Sequence, residues 1–247
     1  MIIRWSSVRS GPAEVSPLRD LHSAAINAQV VLHSLPNRGM AAVWKLSADS
    51  HTAGYAVVGG RGDEPADALT EFYLEPRWRQ ASESAFEHIT AQLGVRRIIA
   101  QSNDIFLFPL LQRHGRVIEA GPLLFGKATP VSLPAPGEFR RVLPTDEVFE
   151  HKHEPIGTHA IVVEGRIIAT AGVLHHYNHP FVDLHMEVEP SHRRRGVGSY
   201  LVRSLIRVCR ESALEPAARC DARNAASAAR LKRAGFTQVG QLQHATL

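Results

Sequence analysis

The run Val188-Glu189-Pro190-Ser191-His192-Arg193-Arg194-Arg195-Gly196-Val197-Gly198-Ser199 constrains the fold more than any other part of the chain. It follows a strand pattern, Phe181–Val188, and opens a helix pattern, Gly198–Ser212. Two glycines one residue apart let the backbone bend tightly and come close to a ligand. The unpaired amides at the helix start face outward, where the positive end of the helix dipole reinforces them, so the turn suits a phosphate. Three arginines beside it add charge.

The 247 residues allow one large domain or two small ones. A composition of 44% hydrophobic and 21% charged residues excludes general disorder. No apolar run reaches the ~18–20 residues of a spanning helix, so no membrane partner is expected. Met1 to Gly11 carries Arg4 and Arg9 without an apolar stretch behind them, and a secretory signal is not expected. Cys209 and Cys220 are too few for a disulfide framework and read as reduced thiols in a cytoplasmic protein. The net charge is +4, with 13 Lys+Arg against 12 Asp+Glu up to residue 130 and 15 against 12 beyond it. Neither part is a basic arm, so no nucleic acid is expected. The excess is local: Arg193, Arg194, Arg195, Arg203, Arg207 and Arg210 meet no acid before Glu211, which points to a small anionic ligand near residue 195.

The glycine- and proline-rich stretch 121–138 marks the domain boundary, giving 1–130 and 131–247. Upstream, Pro17–His33 reads as helix, Ala41–Leu46, Gly54–Val58 and Leu69–Leu74 as strands, Ser82–Leu93 as helix, Arg97–Gln101 as strand and Ile105–His114 as helix. Downstream the order recurs: strands His159–Val163, Ile167–Val173 and Phe181–Val188, helix Gly198–Ser212, strand Pro216–Asp221, helix Ala225–Ala234. Pro76 falls on Pro190, Arg79 on Arg193, and Arg113-His114-Gly115 near Arg233-Ala234-Gly235. This argues for an internal duplication. In the first copy Ser82 and Ser84 stand for Gly196 and Gly198, and Glu83 lies between them. Serine resists positive φ and a carboxylate repels phosphate, so that copy is expected to keep the fold, to have lost the ligand, and to complete the acceptor cleft or pack against the other unit.

The residues Val188, Pro190, Arg193, Gly196 and Gly198 resemble the signature of the GNAT superfamily of acetyl-CoA-dependent N-acyltransferases. Asn224, followed by Ser227, Leu231, Arg233, Gly235 and Phe236, is similar to that family's second signature. The resemblance covers residues 138–247 well and the first part weakly. It implies an α/β (α+β) fold of tandem GNAT-like units, each a mixed, mostly antiparallel sheet flanked by helices. It also implies that the amides of Arg194, Arg195, Gly196, Val197, Gly198 and Ser199 hold the CoA pyrophosphate, with Arg193 also in the cofactor site. Met186, Glu187 and Val188 would pair with the pantetheine arm, and Asn224 would bond it from the other side.

The tyrosine that many members carry seven residues after the asparagine is Leu231 here, and the glutamate five before it is Arg219. General acid and base therefore cannot be copied from the family. In Phe181–Val188 the residues alternate, with Val182, Leu184, Met186 and Val188 on one face and Asp183, His185 and Glu187 on the other. The apolar set should pack under a helix. Among the polar set Glu187 is the expected base, with His185 and Asp183 behind it. His175, His176 and His179 lack metal-site spacing, and no metal is expected. His151, His153 and Glu154 read as a loop lining the acceptor site. No cysteine lies in the motif to carry an acyl group, so attack is expected to be direct, within a ternary complex. The acceptor would be a small-molecule or peptide amine, and a homodimer stays open. Two other readings stand beside this one: a non-catalytic acetyl-CoA-binding regulatory module, and a transferase using aminoacyl-tRNA.

Overall fold

The computed structural model describes residues 3–26, 31–60 and 65–247. Its elements in chain order are β1 (Trp5–Ser10), α1 (Ser16–Ile26), β2 (Ala41–Ala48), β3 (His51–Gly59), β4 (Ala68–Leu74), α2 (Ser82–Leu93), β5 (Arg97–Gln101), α3 (Leu107–His114) and β6 (Val117–Gly126). They continue with β7 (Glu138–Arg141), β8 (His159–Val163), β9 (Arg166–Leu174), β10 (Phe181–Val188), α4 (Val197–Glu211), β11 (Glu215–Cys220), α5 (Ala225–Arg233) and β12 (Thr237–Thr246).

Two compact units result: Met1–Gly121 with Gly240–Leu247, and Pro122–Val239. The division read from composition at residue 130 differs from this in two ways. The change falls between Gly121 and Pro122, and the end of the chain returns to the first unit. Strand β6 accounts for the first difference. Its glycine and proline read as loop, yet Leu123, Leu124 and Phe125 pair with Cys220, Arg219 and Ala218 of β11. The second difference is the pairing of Leu242–Thr246 with Gln101–Arg97 of β5. Neither partner is near in sequence, so local propensity could not reveal either strand.

In the first unit the sheet order is β1-β2-β3-β4-β5-β12, and only β4 and β5 run parallel. Strand β4 is buried throughout because α1 lies against it and the apolar face of α2 packs with Leu69, Phe72 and Ile98. Pro17–His33 is not one helix: α1 ends at Ile26 and a 3₁₀ turn covers Val31–Ser34, with residues 27–30 outside the described ones.

In the second unit the order is β6-β11-β10-β9-β8-β7, and only β10 and β11 run parallel. Val182, Val188 and, in part, Leu184 and Met186 pack with Val197, Leu201 and Leu205 of α4. The apolar face read from alternation is thus the face under the helix.

The two units share hydrogen bonds as well as order. Glu75 N–H donates to Ala53 O and Trp78 N–H to Glu75 O, at 2.9 and 2.8 Å. Glu189 N–H donates to Ile168 O and His192 N–H to Glu189 O, both at 2.9 Å. Arg79 Nε donates to Leu74 O at 3.3 Å, as Arg193 Nε does to Val188 O at 3.0 Å. Identical bonds at matched positions make the chain a tandem of like folds.

Candidate functional site

Strand β10 pairs with β11 only through Phe181, Val182 and Asp183, whereas its pairing with β9 runs on to Val188. Beyond Asp183 the two parallel strands part, while the later residues of β11 stay paired with β6 on its other edge. The backbone of β10 facing β11 then has no strand beside it, and a cavity of about 820 Å³ opens there. Leu184–Val188 form one wall, Ala218 and Arg219 another, and residues of α4 and α5 the rest.

The 190–199 turn forms the mouth. Arg194 and Gly196 both have positive φ, +61° and +85°. A Cβ on Gly196 would meet nothing within 4 Å, so glycine is needed there for its conformation rather than for space. No side chain caps the N-terminus of α4. The amides of its first turn have no intrahelical acceptor and stay available to an anion. Arg193 is turned back on β10 through Val188 O and lies 3.7 Å from Glu187 Oε1, while Arg194 and Arg195 are exposed.

Of the residues the sequence assigns to the ligand, Met186, Glu187, Val188, Arg193, Arg194, Arg195, Gly198 and Asn224 line this cavity. Gly196 and Ser199 line an adjoining hollow of about 220 Å³ with Arg230 and Arg233. The side chain of Val197 is buried in the core, which leaves its backbone for a ligand. Asn224 uses its Oδ1 to cap α5 through Ser227 N–H at 3.0 Å, and the residue lines the cavity.

Arg230 escaped the sequence reading. It borders both hollows, and its Nη1 lies 3.2 Å from Met186 Sδ. Burial, followed by the nearby charge of Arg193, lowers its pKa from the ordinary value. Two guanidinium groups held near one another in a cleft favour an anion between them. The available signal was the spacing of three through Asn224, Ser227, Arg230 and Arg233, which puts them along one side of α5.

The three polar residues of β10 are all buried, at 5–8% exposure. Asp183 lies 3.1 Å from His176 Nε2 and 3.7 Å from Arg219 Nε. His185 lies over Gly172, where a Cβ would come within 2.5 Å of its Nε2, and burial lowers its pKa. Glu187 accepts from the amides of Lys152, His153 and Glu154 at 3.1–3.3 Å. Burial alone would raise its pKa, but these three donors outweigh burial and hold it below the usual value. His185 and Glu187 line the cavity together with His153 and Glu154 of the loop. Asp183 is not among its lining residues.

Arg203 and Arg210, counted in the local basic excess, are held by carbonyls of a neighbouring segment. Arg203 Nε donates to Val131 O at 2.9 Å and Arg210 Nη2 bonds Ala128 O, so both hold the 128–131 segment on α4. In the first unit a separate cluster brings together atoms of His22, His33 and Glu71 within 4.8 Å. The Glu71 carboxylate there is committed to Arg19, at 2.7 and 3.1 Å, and to Tyr55 Oη at 2.8 Å.

A parallel strand pair that parts over a helix N-terminus lined by arginines has the shape and charge to suit an elongated anionic ligand. Residues 129–236 match the acetyltransferase (GNAT) family, which assigns that domain to it. No curated protein sequence matches significantly. Among solved structures, a GNAT-family acetyltransferase from Colwellia psychrerythraea is similar over 99% of both chains, at 13% identity and a TM-score of 0.70. A GCN5-related N-acetyltransferase from Sphaerobacter thermophilus matches over 98% of this chain and 95% of its own, at 16% identity and a TM-score of 0.59. A tandem GNAT protein from the clavulanic acid biosynthesis pathway matches over 98% of both, at 12% identity and a TM-score of 0.51. The fold likeness therefore extends over both units. The chemistry of the family that this domain matches is acyl transfer from acyl-CoA. Among the described residues no helix is long and apolar enough to cross a membrane.

Proposed function

We propose that the second unit transfers an acetyl group from acetyl-CoA to an amine by direct attack in a ternary complex. The observation that carries this is the uncapped start of α4 behind Arg194 and Gly196, opening on the cavity between β10 and β11. The amides of residues 194–199, with Arg230 beside them, would hold the pyrophosphate. Residues 186–188 would bond the pantetheine arm through the backbone freed by the parting of β11. The acyl donor supplies an activated thioester carbonyl at the far end of that arm. Leu231 is 6% exposed and gives no proton, so the proton shed by the acylated nitrogen passes to the leaving sulfur. Cys209 and Cys220 are both free and buried, and burial pushes the Cys209 thiol up to about 11. Neither is suited to carrying an acyl group, and both suit a reducing, cytoplasmic setting.

The first unit is proposed to bind no acetyl-CoA. There the 3₁₀ helix Pro76–Ala81 runs straight into α2, and Ser82 has an ordinary helical φ of −57°. Glu83 bonds Arg113 and His114, and Ser84 Oγ accepts from Trp5 Nε1 at 3.0 Å. No turn is left open for a phosphate. Calorimetric titration of the full chain should give one acetyl-CoA per chain, and thiol release should require both acetyl-CoA and an added primary amine. Two equivalent sites, no binding, or amine-independent release would overturn the reading.

A further inference from the structure

Two residues with carboxylates, Glu154 and Glu187, line the cavity, and their surroundings differ. Glu187 is buried and its two oxygens receive three consecutive backbone amides. A carboxylate so bonded is poor at taking a proton. Glu154 belongs to the segment those amides define and its own N–H is one of them, at 3.1 Å from Glu187 Oε2. Its side chain lines the cavity beside His185, Glu187 and Arg219, and its residue is exposed. Among the described residues its carboxylate has no hydrogen bond or ion pair. Resting on the acetyl-transfer reading, we propose that Glu154 binds the ammonium group of an aliphatic amine acceptor and takes its proton, and that Glu187 is a positioning residue that holds Glu154 there.

The electrostatics agree with the geometry. Desolvation in the cleft, then the negative charges of Asp183 and Glu187 on β10, raise the Glu154 pKa above its ordinary value. His153 on its own segment and Arg219 on β11 oppose this in part. A raised carboxyl is a better base near neutral pH, and an aliphatic amine arrives protonated and needs one. The steps balance. Glu154 takes one proton from the ammonium, and the freed nitrogen pair forms the C–N bond as the C–S bond breaks. The sulfur leaves as thiolate and collects the second proton shed by nitrogen, and Glu154 returns its proton to solvent.

The test uses the full chain, acetyl-CoA, and two amine probes: an aliphatic primary amine, and an aniline that is already neutral at pH 7. Glu154→Gln should lower kcat for the aliphatic amine by about 10²-fold. The aniline should keep most of its rate and acetyl-CoA its affinity, and the acid limb of the aliphatic pH profile should move up to follow the amine's own ionisation. Glu187→Gln removes a negative neighbour, so the acid limb should move to lower pH while kcat falls. Equal losses with both amines would mean a merely structural role and would overturn the proposal, as would a wild-type rate and acid limb in Glu154→Gln. Failure of the wild-type protein to bind acetyl-CoA, or to acylate either amine, would instead overturn the acetyl-transfer reading beneath it.

Discussion

Gly198 separates the demands of the fold from those of the ligand. A Cβ there would lie 2.9 Å from Arg230 Cδ and 3.0 Å from both Arg230 Nε and Met186 Cε. All three are far ends of flexible side chains, so Gly198→Asp should cost about 1 kcal/mol of stability, at the low end for an added side chain. The effect on the ligand is larger. A carboxylate roughly 6 Å from a pyrophosphate charge repels it by about 0.7–3 kcal/mol at effective dielectric constants of ~80 down to ~20. It also offers Arg230 a competing partner. Acetyl-CoA affinity should therefore fall at least tenfold, about 1.4 kcal/mol. Isothermal titration of the folded variant measures this directly. Gly196→Ala is the control, because its Cβ meets nothing within 4 Å while its φ is +85°. It should lose about 1 kcal/mol of stability with little change in affinity. A folded Gly198→Asp protein with unchanged affinity would refute the phosphate assignment of this turn.

Removing residues 240–247 deletes the part of β12 that pairs with β5 and buries Leu242 and Ala245. The first unit should lose at least ~3 kcal/mol, seen as a lower urea midpoint, and an unchanged midpoint would contradict its dependence on this strand. Burial lowers the pKa of His33 from 6.5 to about 4. The unfolded chain then binds the proton first, so stability is full above pH 6.5 and falls as pH drops toward 4, by up to ~3 kcal/mol. His33→Gln should flatten that part of the stability profile, and an identical slope would show that another group is responsible.

The sequence alone was enough to place the 188–199 turn, because its glycines, proline and helix start act locally on φ, on helix capping and on the approach of an anion. It was also enough to show the α2 and α4 repeat, since helix and strand periods are written in neighbouring residues. Strands β6 and β12 were hidden, as their partners on β11 and β5 lie far away in the chain. The roles of Asp183, His185 and Glu187 were hidden for the same reason. Alternation put them on one face, but only the folded chain brings the 152–154 amides onto Glu187 and leaves Glu154 unbonded in the cleft. In the first unit, Arg19, His22, His33, Tyr55, Glu71 and Asp104 come from scattered elements to share one buried network. Hydrogen bonding between side chains depends on distances set by packing, and periodicity along a chain carries no information about those distances.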